Sequence, residues 1–217
     1  MAITRRTFTA ALSLTGLTAL VGLSPLRLIT GATAQSASDV AKPQSLPDMA
    51  LGPADAKVTI VEYAAPTCPH CAAFNRDVFP KIKAEYIDIG KVRYVLREFP
   101  LNIKDIACSM LTRAIAKDDA TKYFAVADVM FNQQDRLVEK TAETLKLIGK
   151  QAGLSSQAVE DCLKDQTLMD KLTADRQFAI DVLKVDGTPT FFINGEMMVG
   201  EVAFEAFDKR IKSLLKT

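Results

Sequence analysis

Roughly 80 residues with helical periodicity throughout, from about Ile103 to Leu183, lie between two segments that read as strands, and this placement restricts the fold more than any other feature. Before the helical stretch, Lys57-Val58-Thr59-Ile60-Val61-Glu62-Tyr63 is a short β-branched run of the kind expected for a buried strand, ending at Ala64-Ala65-Pro66. Thr67 then opens a helix with Cys71, Phe74, Val78, Ile82 and Tyr86 along one side and a kink expected at Pro80. Lys91 to Phe99 alternates as a second strand, and Pro100 stops it. After the helical stretch, Thr190-Phe191-Phe192-Ile193 regains strand character, turns at Asn194-Gly195 and continues through Met197-Met198-Val199. A last helix spans Ala203 to Leu215. Breaks near Asp118-Asp119, from Asn132 to Asp135, and at Gly153-Leu154-Ser155 divide the helical block. The order β-α-β, helices, β-β-α predicts a small α/β domain over 57–102 and 185–217, interrupted by an all-helical insertion over 103–184.

The first 34 residues have the layout of an export signal: Arg5-Arg6, an apolar stretch from about Ala10 to Leu23, and small residues at Ala32-Thr33-Ala34, with cleavage expected before Gln35. The apolar stretch is shorter than the roughly 20 residues needed to cross a bilayer, and Gly16, Gly22 and Pro25 weaken it further; an uncleaved anchor is the alternative. Thr4-Arg5-Arg6-Thr7-Phe8 resembles the twin-arginine export motif, although Ala10 stands where a Lys is often found. Residues 35–56, small, polar and containing proline, read as a flexible leader. Removing the signal takes away Arg5, Arg6 and Arg27 and no acid, so 27 basic against 26 acidic residues become 24 against 26, and the formal charge moves from +1 to −2. That balance carries no electrostatic footprint for nucleic acid or an anionic membrane surface, which leaves protein or small-molecule partners.

Chemistry concentrates at Cys68-Pro69-His70-Cys71, where strand gives way to helix. Two cysteines at this spacing close and open a disulfide with little backbone movement. Cys68 sits where the first helical N–H groups are unpaired and the helix dipole is positive, so its thiolate is favoured and it is placed for attack. Pro69 fits the first helical turn, where its missing N–H costs nothing. His70 adds a donor and a potential positive charge beside the sulfur. It is the only histidine, which excludes a two-Cys, two-His zinc site and a triad built on a distant histidine base. Each pKa unit by which Cys68 is depressed stabilises the reduced form by about 1.4 kcal/mol, roughly 30 mV toward oxidising power. Cys71, one turn further in, is the buried partner. Glu62, six residues before Cys68 on the preceding strand, is a candidate proton acceptor beneath the pair; an ordinary strand-end carboxylate is the alternative. No cofactor beyond the dithiol and no metal is called for.

Cys68-Pro69-His70-Cys71 after a strand, the helical block, and Gly187-Thr188-Pro189-Thr190 before the hairpin together resemble the DsbA family of exported thiol-disulfide oxidoreductases, from about Lys57 to the end. The resemblance implies a thioredoxin-like fold with a helical insertion and a cis peptide at Thr188-Pro189 packed against the dithiol. It also implies that Thr188 and Pro189 help bind the substrate backbone, that Glu62 matches the family's buried acid, and that a DsbB-like membrane quinone reductase reoxidises the protein in the bacterial periplasm. A trans proline opening a strand is the alternative at Pro189.

Cys108 and Cys162 fall in the helical block, and in an oxidising compartment they are expected to pair. The bridge would close a loop of about 55 residues and contribute roughly 4 kcal/mol by the chain-entropy estimate. Two separate buried thiols are the alternative, given Ile106, Ala107, Met110 and Leu111 around Cys108. The expected function is a dithiol oxidase acting on reduced or unfolded exported proteins. Two rivals stand beside it: an isomerase or reductase with the same chemistry reversed, and a soft-metal module holding Cu(I) with help from Met197 and Met198.

Overall fold

The stretch expected to be a flexible leader contributes two elements, helix α1 (Ala37–Val40) and strand β1 (Met49–Leu51). This corrects the sequence reading, and the reason is length: four and three residues carry no readable periodicity, and tertiary partners hold them. The computed structural model describes residues 37–42 and 44–216; the expected export signal lies outside them. Arg97 grips Asp48 through two bonds of 2.7 and 3.0 Å and donates to Val40 O at 3.0 Å. Asp175 accepts from the amides of Ser45 and Leu46 at 2.6 and 3.0 Å.

The remaining strands are β2 (Val58–Ala64), β3 (Val92–Glu98), β4 (Thr190–Ile193) and β5 (Glu196–Val199). They form one sheet in the order β1-β3-β2-β4-β5, parallel between β2 and β3 and antiparallel elsewhere. Burial on both faces explains why β2 reads as an almost continuous apolar run. The β4–β5 turn uses Asn194 at φ 48° and Gly195 at φ 89°, the left-handed pair that a two-residue hairpin demands. Gly195 is required a second time, because a Cβ there would lie 2.7 Å from the backbone of Ala37.

Between β2 and β3 run α2 (Pro69–Asp77), α3 (Phe79–Ile82) and a π-helical turn (Lys83–Ile87). The helix breaks at Val78, and Pro80 lies in the first turn after the break, where a proline is tolerated. The helices α4 (Ile103–Ala116), α5 (Ala120–Asn132), α6 (Gln134–Glu139), α7 (Thr141–Gln151), α8 (Ser156–Cys162) and α9 (Gln166–Asp181) separate β3 from β4, and α10 (Phe204–Lys216) ends the chain. Asn102, Asp119, Ser155 and Asp165 cap α4, α5, α8 and α9 through their side chains, which is the local reason these helices start where they do.

One sheet face packs Ile60, Tyr94, Phe191 and Ile193 against Phe74, Ile82, Phe207 and Ile211. The other packs Val61, Tyr63, Val95 and Phe192 against Ala179, Leu183 and Val185. Each fully buried large apolar side chain contributes about 1.5–3 kcal/mol. The insertion has its own core of Cys108, Leu111, Met130, Leu137, Leu145, Ile148 and Val159. It is joined to the sheet by a buried fork in which Arg113 on α4 donates to both oxygens of Glu98 at 2.6 and 2.7 Å. Arg113 also donates to Pro47 O at 3.0 Å and lies over the Tyr123 ring at 5.5 Å. Arg113→Met is expected to destabilise the protein by about 3–5 kcal/mol in urea unfolding, because Glu98 would be left buried without its partner. Adding Glu98→Gln should recover much of that loss; no recovery would mean that the packing of Arg113, rather than its charge, holds the junction.

Candidate active site

β2 ends at Ala64, buried like Ala65 after it, and the chain then turns tightly, with the Cys68 amide donating to Ala65 O at 3.1 Å. Cys68 is the N-cap of α2 in extended conformation and Pro69 is the first helical residue. No side chain caps α2, so its first amides are left for the Cys68 sulfur. Cys71 has no exposed surface whereas Cys68 retains 5%, so an incoming thiolate can reach only Cys68. All four cysteines are thiols.

The proton affinities of the two sulfurs are shifted in opposite directions. The Cys68 thiol is lowered from 9.0 to about 5: the Cys71 thiol beside it is the largest cause, Thr188 and the amides of Cys71 and His70 add to it, and burial acts against it. Cys71 is pushed far up, chiefly by burial, then by the hydrogen bond to Cys68 and the charge of Glu62. As a thiol, Cys68 Sγ donates to Thr188 O at 3.3 Å, across a cis Thr188-Pro189 peptide. The loop before β4 thus meets the start of α2, and the cis peptide agrees with the expectation.

Glu62 is 4% exposed, and burial raises its carboxyl to about 7; a hydrogen bond from Tyr94 opposes the rise and the charge of Cys68 adds to it. His70 is exposed and its Nδ1 pairs with Glu201 on the loop after β5, which raises the imidazole pKa. Cys68, Pro69, His70, Cys71, Glu62, Thr188 and Pro189 therefore converge on one end of the sheet. Cys108 and Cys162 lie elsewhere: Cys108 is in the insertion core and Cys162 packs against the same cluster.

Four further residues hold the site and were not read from the sequence. Gln134, the first residue of α6, donates from one nitrogen to Pro66 O at 2.9 Å and Cys68 O at 2.8 Å. Asp105, buried in the first turn of α4, accepts from the Thr67 amide at 2.7 Å and the Leu101 amide at 3.0 Å. Asn102 donates to Thr67 Oγ1 at 3.0 Å. Glu201 completes the group. The spacing Asn102-x-x-Asp105 is visible as a helix start, but nothing local ties it, or Gln134 and Glu201, to the dithiol. Among the described residues no cluster of three or more His, Cys, Asp or Glu side chains is arranged to hold a metal.

A thioredoxin family profile matches residues 44–213. The putative protein-disulfide oxidoreductase of Rickettsia bellii is 39% identical over 150 residues, covering 68% of this chain and 57% of that protein; the chain thus spans little more than half of that relative's length. The probable disulfide bond formation protein D of Bacillus cereus is 32% identical over 172 residues, covering 76% of this chain and 78% of that one. Among solved structures, Wolbachia pipientis alpha-DsbA1 superposes with a TM-score of 0.75 at 32% identity, covering 82% of this chain and 96% of that one. The five-stranded sheet with its helical insertion is a thioredoxin-like architecture of the kind seen in DsbA structures, and the chain belongs to the thioredoxin family and, within it, to the DsbA group.

Proposed function

We propose that this chain is an exported protein-disulfide oxidoreductase that passes the Cys68–Cys71 disulfide to reduced substrate proteins. The observation that carries the reading is the asymmetry of the pair: a reachable Cys68 whose thiolate is strongly favoured beside a buried Cys71 whose thiol is strongly favoured. A substrate thiolate attacks Cys68 Sγ, the Cys68–Cys71 bond breaks, and Cys71 takes a proton from Glu62. A second substrate thiolate then attacks the substrate sulfur of the mixed disulfide and Cys68 leaves as thiolate. The substrate loses two electrons and gains a disulfide; the enzyme ends as the dithiol. Thr188 and Pro189, facing Cys68, are suited to hold the substrate backbone, and a DsbB-like membrane quinone reductase is the proposed reoxidant. No helix among the described residues is long and apolar enough to cross a membrane. Met197 and Met198 pack against different faces of the sheet and neither joins the cluster that contains the cysteines, which weighs against a copper module.

Equilibration with a glutathione redox series, read by thiol alkylation and mass spectrometry, is the direct test. A potential near the oxidising end, roughly −120 mV, is expected, whereas one near roughly −270 mV would replace the oxidase with a reductase. In the reduced protein, ultraviolet thiolate absorbance should titrate near pH 5 with no second thiol below neutrality. Because this pKa is depressed, the thiolate's stabilisation of the reduced folded state is full above pH 9.0, declines as the pH falls, and is gone below about 5. Glu201→Gln is expected to lower the His70 pKa, read by NMR of the single imidazole; an unchanged value would mean that the pair does not form in solution.

The bridge between Cys108 and Cys162 is proposed for the exported protein, since both side chains belong to one apolar cluster. Non-reducing peptide mapping should recover them linked, and loss of the bridge should lower stability toward urea by roughly 4 kcal/mol. Two alkylatable thiols in the oxidised protein would identify them as separate apolar packers.

A further inference from the structure

Glu62 is a buried carboxylate with a single hydrogen-bond donor among the described residues. It lies on β2, and the donor is Tyr94 on β3, whose hydroxyl reaches Glu62 Oε2 at 2.6 Å. The register sets up this contact: Tyr94 is opposite Ile60 and Glu62 is opposite Leu96, so the two side chains leave the same sheet face two residues apart. Tyr94 has no exposed surface. Its ring is wedged between elements, 5.0 Å from Phe79 before the π-helical turn and 6.1 Å edge-on from Phe124 on α5. The hydroxyl therefore has little freedom to turn away. Glu62 Oε1 carries no hydrogen bond among the described residues, and the charge of Glu62 acts on Cys71.

We infer that Tyr94 is a positioning residue that holds Glu62 in its proton-accepting form beside Cys71 and thereby sets the pH at which Cys71 is activated. The inference rests on the reading of Glu62 as proton acceptor and deepens it. A carboxylate buried without a donor keeps its proton, and one with a fixed O–H aimed at it is drawn back toward ionisation. Tyr94 can serve throughout the cycle because burial and the neighbouring Glu62 raise its own pKa well above 10.0, so it remains a donor. The other titratable groups bearing on Glu62 are Cys68 at the N-cap of α2, Cys71 on α2 and Tyr123 on α5; the β4 residue opposite it, Phe191, carries no charge.

The step in question is ring closure. With a mixed disulfide on Cys68, the Cys71 thiol gives its proton to Glu62 Oε1, its thiolate attacks Cys68 Sγ, the mixed disulfide breaks, and the departing thiolate carries away the electron pair. The test follows this step with glutathione as the group on Cys68, measuring the closure rate against pH by stopped flow. In the unaltered protein the rate should rise through a midpoint near pH 7, and Glu62→Gln should abolish that midpoint. Tyr94→Phe should move the midpoint up by about one to two units, so that below both midpoints closure slows about 10- to 100-fold. The Cys68 titration near pH 5 should stay in place. Replacing Tyr94 by 3-fluorotyrosine, a stronger donor of nearly the same size, should move the midpoint down and serves if Tyr94→Phe fails to fold. A midpoint unmoved by either replacement overturns the inference and leaves Tyr94 as a packing residue. Absence of any Glu62-dependent midpoint in the unaltered protein instead overturns the reading of Glu62 itself.

Discussion

Cys68 stands one tight turn past the end of a buried strand and at the N-cap of a helix, and most of the structure can be understood as holding it there. β2 is paired on both sides, so its last residues cannot shift along the sheet; α2 then begins within four residues, with Pro69 supplying the helical φ and no side chain competing for the first amides. The sulfur inherits those amides, the helix dipole and the Cys71 thiol together. Their combined pull outweighs burial, which by itself would favour the neutral thiol.

The two sulfurs of the dithiol differ in reach and in proton affinity. Cys68 keeps a little exposed surface and Cys71 none, and in a low-dielectric interior burial weighs heavily against charge. Glu62 is buried as well and shares the penalty, which is why its carboxyl is drawn up toward neutrality. His70 and Glu201 are at the opposite extreme, exposed at the mouth, where solvent screens their pairing and its effect on stability is small.

The helical insertion steadies the active site as well as covering it. Asp105 and Asn102 at the start of α4 hold Thr67, and Gln134 at the start of α6 holds the carbonyls on either side of it, so two helix starts clamp one turn of backbone. The Glu98–Arg113 fork ties the same helix α4 to β3, so movement of the insertion against the sheet would strain both sets of bonds.

Much of this was legible in the residues alone. β2, β3 and the β4–β5 hairpin are marked by β-branched runs, Pro100 and Asn194-Gly195, and the helical block by its periodicity, because these signals are local and repeat within a few residues. The dithiol and the Thr188-Pro189 pair were likewise visible as motifs. What escaped has one physical character: it joins residues far apart in sequence through a single contact. Met49–Leu51 becomes a strand only because Tyr94–Leu96 offers an open edge, and Glu201, Gln134 and Asp105 become site residues only when the chain has folded back on itself. The sequence by itself determined the element order and the reactive cysteines, since periodicity and side-chain chemistry are written residue by residue. Tertiary structure alone decided which donor reaches Glu62 and which side chains clamp the turn at Thr67, because hydrogen-bond partnership is a property of neighbours in space.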